Sequence, residues 1–565
     1  MGQLIRIKLM RIMKNVLASF IWIIMLSTVH QVTAQQSFIS HLSKPYYCQG
    51  EQVFYKLYFP NNYATKNVAV NIRLYNGDAL MQQFYQKSEA NNYIAGLVDL
   101  PLDYSSGNYT LSFLVADGTQ KIMETVNEIS FPIYNDLSTE ITNVKSNVAS
   151  LSKDQSSIDI KLVTDPTINS RSKNEIRVQL SNPQNSTQGA VADADVSIAI
   201  VDKKLVFGEE TPIVSVSSNS KYSIVNPSDR LSVFGFASND AGNAQALNVI
   251  GAWSLDAQEF SFTKAIDNGN FFLELDDFEG DQSIQFVRYD DSKDNVNYSI
   301  LKPSINRVMS GETIPQADIN EYLSDSRKRR KLNQYFGLRK KVSLNENPIE
   351  KKEFLKPNTT YLFSEFKRFE TLGGFFGELS TALSLRKQDD GSYVCNMLKP
   401  KSRTVGSSYL GDTPLFIIDG MISKDPNFFG RLNFDDMART DLHFDTKSLR
   451  QMFNAMGKNG AVVVETKLPE FQLQESEQSD IITLSGIQSG NTSFEFSDSE
   501  INLSTSQPLF SSLIYWNPYL KSDSTGQITV SYNHTDDVGE SVMIIFVRAK
   551  DGTIGWQTID LDVKS

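Results

Sequence analysis

Short runs of alternating apolar and polar residues, separated by turn residues, fill most of the chain after residue 34. The run Val53–Phe59 ends at Pro60, and the run Gly107–Val115 ends at the turn Asp117-Gly118. Alternation with a period of two predicts half-buried strands, and strands of this length between turns are typical of β-sandwiches. The pattern predicts sandwiches over residues 35–136, 137–246 with a loop-rich end, 247–302 and 470–565.

A different pattern occupies residues 303–356, which we interpret as a charged helical linker. From Ile314 to Leu332 the chain has no Gly and a single Pro, Pro315, and Gly337 follows. A Pro near the start and a Gly just past the end predict a helix of about twenty residues. This helix carries a run of five cations, namely Arg327, Lys328, Arg329, Arg330 and Lys331.

The cationic run has two interpretations. In the first interpretation, the run is an interaction patch that binds phosphorylated lipid, because clustered Lys and Arg attract phosphate groups. Alternatively, it is a solvated helix face that pairs with the acidic sandwich domains, which is the plainer interpretation. The sequence leaves both open.

The first 34 residues have the layout of a secretory signal peptide. Four cations precede an apolar core, Val16–Val29, and Val32-Thr33-Ala34 provides small residues for cleavage. The apolar core is shorter than the roughly twenty residues that a spanning helix needs. We therefore expect cleavage after Ala34 and export to the periplasm or the outer membrane, with no transmembrane span in the mature chain. The cell surface remains an open alternative.

The net charge of the mature chain limits the classes of partner that it is expected to bind. Removing the signal peptide leaves 50 Lys and Arg against 66 Asp and Glu, a net charge of −16. An acidic chain repels nucleic acid. We expect no nucleic-acid partner.

Two segments in the last third of the chain resemble the plug domain of TonB-dependent outer-membrane receptors. The first, Asp412–Gly420, is an apolar strand that ends in Asp-Gly, and the second, Gly457–Lys467, begins with a Gly-x-Asn-Gly turn. The resemblance implies a small α+β plug-like domain over residues 357–469 in which both segments contribute strands to the same small sheet. It assigns structural roles to Pro414, Asp419, Gly420, Gly457, Asn459 and Gly460.

We expect no receptor barrel after this segment. Only 98 residues follow Lys467, whereas a barrel of 22 strands at about ten residues a strand needs several hundred. In the receptor family the helix before the Gly-x-Asn-Gly turn contains a Tyr-Gly pair. Here it reads Leu449–Met456, with Phe453 in place of Tyr, and we expect Asp445 to cap it.

The flanking sandwiches resemble macroglobulin-type modules of cell-envelope proteins of Bacteroidota. The resemblance rests on the turns Gln49-Gly50-Glu51 and Ser106–Tyr109 in the first module and on the strand Ala192–Asp202 in the second. Residues 247–302 look like the regulatory-type sandwich that often precedes plug domains. Residues 470–565 resemble the module that closes barrel-less plug proteins.

The sequence contains few residues in an arrangement suited to catalysis or metal binding. His41, His443 and His534 are scattered over three predicted domains, whereas zinc sites and nucleophilic triads need clustered side chains. The acidic pairs Asp276-Asp277, Asp435-Asp436 and Asp536-Asp537 lie in turn-like settings, where calcium binding or a hydrolytic pair stays open. We predict no cofactor, no catalytic residue and no metal site.

The two cysteines, Cys48 and Cys395, are expected to be separate buried thiols, with a disulfide as the alternative. The segment Cys48–Gln52 resembles the internal thioester of complement and macroglobulins. In that crosslink the glutamine lies three positions after the cysteine, whereas Gln52 lies four after Cys48. We therefore expect no thioester.

These observations predict a mainly β, multi-domain fold, a string of Ig-like or macroglobulin-like β-sandwiches with one plug-like domain. We expect a non-enzymatic scaffold of the cell envelope that binds an outer-membrane or periplasmic protein, with a β-barrel among the candidate partners. One alternative is a plug that docks onto a separate outer-membrane barrel, either a transporter or the type 9 secretion translocon. The other is an enzyme acting on polysaccharide or peptidoglycan. The oligomeric state stays open.

Overall fold

In a computed structural model of the protein, the chain is mainly β and multi-domain. It forms two compact units: unit 1 is Met1–Asp229, Pro303–Asn345 and Gln488–Ser565, and unit 2 is Arg230–Lys302 and Glu346–Ile487. The expected signal peptide lies outside the described residues. The structure describes residues 37–63, 66–88, 91–137, 156–182, 189–205, 214–216, 224–288, 296–300, 316–337, 341–343, 355–399, 408–469, 471, 481–502 and 507–565.

The strands are numbered in chain order. The first stretch of unit 1 contains β1 Ile39–Leu42, β2 Tyr47–Cys48, β3 Gln52–Tyr58, β4 Ala69–Asn76, β5 Ala79–Lys87, β6 Tyr93–Asp99, β7 Gly107–Asp117, β8 Ile122–Tyr134, β9 Asp159–Leu162, β10 Thr167–Asn169, β11 Lys173–Ser181, β12 Asp195–Asp202 and β13 Val214–Val216. Unit 2 contains β14 Leu231–Ser238, β15 Leu247–Ser254, β16 Glu259–Ala265, β17 Asn270–Leu275, β18 Asp281–Arg288, β19 Asn297–Ile300, β20 Thr359–Leu362, β21 Leu383–Lys387, β22 Tyr393–Lys399, β23 Ser408–Leu410, β24 Leu415–Ile418, β25 Met421–Ser423, β26 Met437–His443, β27 Ala461–Thr466 and β28 Ile481–Ser485. The last stretch of unit 1 contains β29 Leu513–Lys521, β30 Gln527–Asn533, β31 Gly539–Arg548 and β32 Ile554–Lys564.

The helices are short, with one exception. They are α1 Gln316–Phe336, α2 Leu372–Leu379, α3 Pro426–Arg431, α4 Thr446–Phe453 and α5 Asp498–Ile501. The long helix α1 ends before Gly337, which adopts φ +66° and stops the helix as the sequence predicts.

The first sandwich of unit 1 contains the predicted strands of residues 35–136 and one more. Its two sheets have the strand orders β13-β1-β3-β6 and β2-β8-β7-β4-β5. The added strand, β13, pairs antiparallel with β1, although the sequence pattern placed it in the second sandwich. Strand β13 is short, and its pairing with the distant strand β1 determines which sandwich it joins.

The second sandwich of unit 1 is assembled from two distant stretches of the chain. Its sheets have the orders β10-β32-β31-β12-β29 and β30-β11-β9. Residues 137–246 and 470–565, which the sequence predicts as two sandwiches, thus supply strands to one. The buried side chains Ile198 and Ile200 of β12 share a core with Ile545 and Val547 of β31.

The two sandwiches of unit 1 meet at a polar cluster that is fully buried. Lys56 Nζ donates to Pro518 O (2.5 Å), and the ring of His41 places Nδ1 2.6 Å from Ser197 Oγ. Burial lowers the pKa of Lys56 to about 7 and the pKa of His41 to about 3, the latter with help from the charge of Lys56. The cluster thus joins the two sandwiches through buried polar contacts.

Unit 2 contains a seven-stranded antiparallel sheet with the order β19-β14-β17-β16-β15-β18-β28. The sequence predicted a smaller sandwich over residues 247–302. The observed sheet begins earlier, at β14, and gains β28 from the segment that was predicted to belong to the last domain. Strand β28 pairs with β18 from Asp281↔Ser485 to Gln285↔Ile481.

The rest of unit 2 contains residues 357–469, the segment that the sequence analysis predicts to be plug-like. It has one sheet with the order β20-β26-β27-β24-β25 and a second with the order β21-β22-β23. Helix α2 is capped by Thr371, whose Oγ1 accepts from Gly374 N, and α4 is capped by Asp445 as predicted. Helix α4 ends at Phe453, three residues before the predicted end, because Asn454 adopts φ +52°.

A fragment consisting of residues 488–565 alone is expected to be unfolded. Strands β29 and β31 both pair with β12, and without β12 they expose apolar side chains and unpaired backbone groups. Amide chemical-shift dispersion in a two-dimensional NMR spectrum measures this directly. A dispersed spectrum with a cooperative thermal transition would instead establish an independent C-terminal domain.

Candidate functional site

The plug-like motif forms the local structure that the sequence predicts. Strand β24 pairs parallel with β27, from Leu415↔Ala461 to Ile418↔Val464. The Asp-Gly and Gly-x-Asn-Gly segments thus belong to neighbouring strands of one small sheet. The pairing is a property of this chain, whereas kinship with TonB-dependent receptors remains a prediction.

The Asp419-Gly420 turn is stabilised by the neighbouring strand. Asp419 adopts φ +46°, Gly420 adopts φ +86°, and the Asp419 carboxylate accepts from Thr466 N at 2.8 Å and from Thr466 Oγ1. The aspartate at the end of β24 therefore ties the turn to the end of β27.

The Gly-x-Asn-Gly turn needs its glycines for steric reasons. Gly460 adopts φ +91°, and a Cβ on it would lie 2.4 Å from Met397 Sδ. A Cβ on Gly457 would lie 2.6 Å from Leu449 O. Asn459 donates from Nδ2 to Thr413 O (3.4 Å), next to the buried Pro414. The close contacts at positions 457 and 460 therefore leave no room for a side chain in this turn.

The seven-stranded sheet covers one edge of the motif. Trp253 Nε1 donates to Gly420 O (2.7 Å). The Gln285 side chain donates to Ile422 O (2.7 Å) and accepts from Ile422 N (2.8 Å). A side chain of β18 therefore caps β25, an edge strand of its sheet, and a side chain of β15 caps the turn before it. Sequence reasoning missed Trp253 and Gln285, since no local pattern links them to residues more than a hundred positions away.

The five cations of α1 do not form one positive surface. Arg329 binds Asp202 and Asp537, Arg330 binds Asp136, and Arg327 donates to the Asp136 carbonyl. Lys328 is 70% exposed and pairs with Asp325 on its own helix (3.1 Å), and Lys331 is exposed. The arginines are therefore turned toward the acidic sandwiches of unit 1, as in the plainer interpretation of the sequence.

A pocket of about 130 Å³ lies in unit 1 beside the turn Gln49-Gly50-Glu51. Phe54, Phe494 and Phe496 supply apolar surface to this pocket, and Lys44 and Glu51 supply charge. Glu51 Oε2 accepts from Lys44 Nζ (2.6 Å) and from Cys48 N (2.8 Å). The pocket thus contains a shielded ion pair in which Lys44 is 2% exposed and Glu51 24% exposed.

The protonation states of Glu51 and Cys48 in this pocket follow from their contacts. Burial raises the pKa of Glu51, but the charge of Lys44 and hydrogen bonds from Lys44, Cys48 N and Ser512 outweigh that effect and hold it below its ordinary value of 4.5. Burial, together with the charge of Glu51, raises the pKa of the Cys48 thiol to about 12. Cys48 is thus held as a thiol beside a charged Glu51, in a setting that disfavours nucleophilic chemistry.

The Gln52 side chain is engaged away from Cys48. Its Nε2 donates to Val342 O (3.0 Å) and to Asp99 Oδ1 (3.1 Å), and its Oε1 accepts from Val342 N (2.9 Å). The hydrogen bonds between Gln52 and Val342 hold residues 341–343 against β3. Both cysteines are free and buried, which confirms the preferred interpretation of two separate thiols.

The acidic pairs bind neighbouring backbone groups and cations. Asp536 pairs with Arg171 (2.8 Å), Asp276 pairs with Arg230, and Asp435 pairs with Arg368. Within the described ranges, no group of three or more His, Cys, Asp or Glu side chains is placed to hold a metal ion. No helix in that part of the chain combines the length and apolarity of a membrane span.

The comparisons with known proteins are limited to solved structures, since no protein-family model and no curated protein matches the chain. Salmonella alpha-2-macroglobulin reacted with methylamine matches at 9% identity and a TM-score of 0.23, over 94% of this chain and 39% of that one. Native E. coli alpha-2-macroglobulin matches at 10% identity and a TM-score of 0.23, over 94% of this chain and 40% of that one. This chain thus spans about two fifths of the length of these proteins. At such TM-scores the likeness carries no argument about function.

Removing the Glu51 carboxylate is expected to destabilise unit 1. Glu51→Ala leaves the Lys44 ammonium buried without its counter-ion, which costs about 3 kcal/mol of unfolding free energy. The double variant Lys44→Met/Glu51→Leu is expected to recover most of that loss, because no uncompensated charge remains. Urea denaturation of the wild type, both single variants and the double variant measures the coupling. Additive losses would show that the pair is not coupled.

The stability contributed by Glu51 is expected to depend on pH. Its pKa is lower in the folded than in the unfolded state, so its contribution is fully present above pH 4.5 and is lost as the pH falls through the folded pKa. The difference in unfolding free energy between wild type and Glu51→Gln should therefore be constant above about pH 5.5 and shrink below 4.5. Denaturation curves from about pH 3.5 to about pH 7 test this; a difference that grows on acidification would contradict it.

Proposed function

We propose that the chain is a non-enzymatic binding scaffold of the cell envelope, which recognises a protein partner through an open strand edge of its plug-like domain. The predicted signal peptide supports export, and the net charge of −16 after its removal argues against nucleic acid as the partner. The observation that carries the proposal is the difference between the two edges of the sheet β20-β26-β27-β24-β25.

Strand β20 is the edge that accepts a partner. It pairs with β26 from Thr359↔Leu442 to Leu362↔Arg439, and within the described residues no strand pairs with its other side. Thr360 and Leu362 are exposed, and Leu362 is 42% exposed despite its apolar side chain. An edge with unpaired backbone groups and an exposed apolar side chain is a template for strand addition.

The opposite edge of the sheet, β25, is closed to strand addition. We therefore expect a partner strand to add at β20. Gln285 occupies both backbone groups of Ile422 in β25, and Lys424 donates to Arg288 O at the end of β18. A partner strand is therefore excluded from β25. Strand addition at β20 would extend the sheet away from the motif turns.

A second candidate is a plug that docks onto a separate outer-membrane barrel. The presence of β24 and β27 in one small sheet favours it, because the resemblance to receptor plugs implies a shared sheet. Both candidates are binding functions, and the identity of the partner separates them. A β-barrel protein bound at β20 supports docking onto a barrel, and any other envelope protein supports the scaffold.

Placing lysines on the open edge is expected to abolish partner binding. Thr360→Lys/Leu362→Lys puts two cations on exposed positions of β20, where edge lysines oppose strand addition without affecting the core. A photo-crosslinking residue at position 364, next to β20, is expected to give a discrete adduct in the source cells. The double substitution should reduce its yield at least tenfold.

The matched control is Val163→Lys, which changes a side chain that is 55% exposed in unit 1. It is expected to leave the adduct unchanged. Equal adduct yields from the β20 variant and the control would overturn the proposed edge, provided that both variants keep the wild-type melting temperature.

A further inference from the structure

The pocket of about 130 Å³ beside Glu51 is assembled from separate stretches of unit 1. Strand β3 and the turn before it line one part of this pocket, and the C-terminal half of α1 lines another. The segments around Phe496 and Ser511 line the rest. Because these stretches lie far apart in the chain, the pocket forms only when unit 1 is folded.

The volume of the pocket corresponds to a single ring. A dry cavity of about 150 Å³ in a protein core accommodates one benzene molecule, whereas sites for drug-sized ligands occupy roughly 300 Å³ or more. The pocket, at about 130 Å³, is close to the first of these volumes. The enclosed part of a ligand is therefore one six-membered ring.

Three phenylalanine side chains form a closely packed wall of the pocket. The rings of Phe54 and Phe494 lie 5.8 Å apart at 58°, and the rings of Phe494 and Phe496 lie 5.3 Å apart at 83°. All three side chains are no more than 5% exposed, so the wall is in place before a ligand enters. Since aromatic rings pack favourably edge-to-face, this wall favours an aromatic ring over an aliphatic one.

The lining also contains a polar atom that suits a hydrogen-bond donor. Asn333 donates from Nδ2 to Phe510 O (3.4 Å), which orients its side-chain amide. The other end of this amide, Asn333 Oδ1, is buried and accepts no hydrogen bond from the described residues. A buried acceptor without a donor is unfavourable, so the pocket favours a ligand that carries an O–H or N–H group.

The charged side chains of the lining are already paired, which favours a neutral ligand. Their ion pairs are Lys44–Glu51, Arg329–Asp202, Arg329–Asp537, Arg330–Asp136 and Lys341–Asp99. A charged ligand would lose its hydration on entry and would have to compete with these pairs for a counter-charge. We therefore expect anions such as carboxylates to bind poorly.

We propose that this pocket binds one neutral phenol ring, supplied by a tyrosine side chain of a protein partner, whose hydroxyl donates to Asn333 Oδ1. A phenol combines a single aromatic ring with one O–H donor, whereas benzene lacks the donor and indole has a second ring. Tyrosine is neutral near pH 7, because its ordinary pKa is about 10. It is also a frequent anchor in the pockets of protein interfaces.

The phenol site is independent of the β20 edge, whereas the assignment of the phenol to a protein rests on the proposed binding function. The two are tested separately. Loss of the β20 adduct with intact phenol binding would overturn the proposed strand edge and leave the phenol site unaffected.

The site is tested in the intact chain with p-cresol, which is the tyrosine side chain as a free molecule. Saturation-transfer NMR titrations should give saturable binding that is about fivefold tighter than that of toluene, which has the same ring without the hydroxyl. The anion 4-methylbenzoate should not displace p-cresol. Equal affinities of p-cresol and toluene, or no saturable binding of p-cresol, would overturn the proposal.

A pair of variants places the binding at this pocket. Asn333→Leu removes the acceptor at similar size and should lower the affinity for p-cresol to that for toluene. The matched control, Gln334→Leu, changes an exposed amide at the next position of α1 and should keep the preference for p-cresol. A preference that persists in Asn333→Leu would overturn the assigned site. Should Asn333→Leu fail to fold by circular dichroism, the comparison of the two ligands in the wild type decides alone.

Two amino-acid amides distinguish a tyrosine of a protein from a free phenol. N-acetyltyrosinamide should displace p-cresol and bind at least as tightly, because its backbone mimics a peptide chain, whereas N-acetylphenylalaninamide should bind more weakly. Binding of p-cresol without binding of N-acetyltyrosinamide would assign the pocket to a free phenol and overturn the tyrosine as its occupant.

Discussion

The structure of unit 1 depends on the pairing of β12 with strands from the far end of the chain. Strand β12 lies between β29 and β31, which begin more than three hundred residues later. A central strand that is buried on both faces must satisfy its backbone groups on both edges, so neither stretch of chain can complete the sandwich alone. Folding of unit 1 therefore requires both stretches, although the sequence of unit 2 separates them along the chain.

The electrostatic features of unit 1 follow from that pairing. The alignment of β12 with β31 brings Asp202 opposite Ser541, close to the loop that contains Asp537. Two carboxylates from distant positions thereby become a single site for Arg329. The same alignment places Ser197 against His41 and Tyr58 of the first sandwich, so a register shift of one residue would break both polar networks.

In unit 2, an edge strand is covered by side chains and not by a further strand. In the sheet β20-β26-β27-β24-β25, Gln285 closes β25 and Trp253 bonds the preceding Gly420, whereas β20 remains at the edge of the sheet. Side-chain capping of an edge strand uses hydrogen bonds without adding a strand. An asymmetric sheet of this kind favours one direction of binding, which is consistent with a scaffold that presents a single edge.

Several elements could be predicted because their signals are local in the chain. The mainly β fold, the helix before Gly337 and the cap by Asp445 all follow from residues within one or two turns of each other. The family resemblance added the expectation that β24 and β27 share a sheet, whereas their parallel pairing is a finding of the structure. Long-range contacts set which strands share a sandwich and where the five cations of α1 are directed. They also bring Trp253 and Gln285 to the motif. The physical reason is that strand pairing and ion pairing join groups by distance in space, and residues such as Asp202 and Asp537 carry no mark of their partnership in the chain.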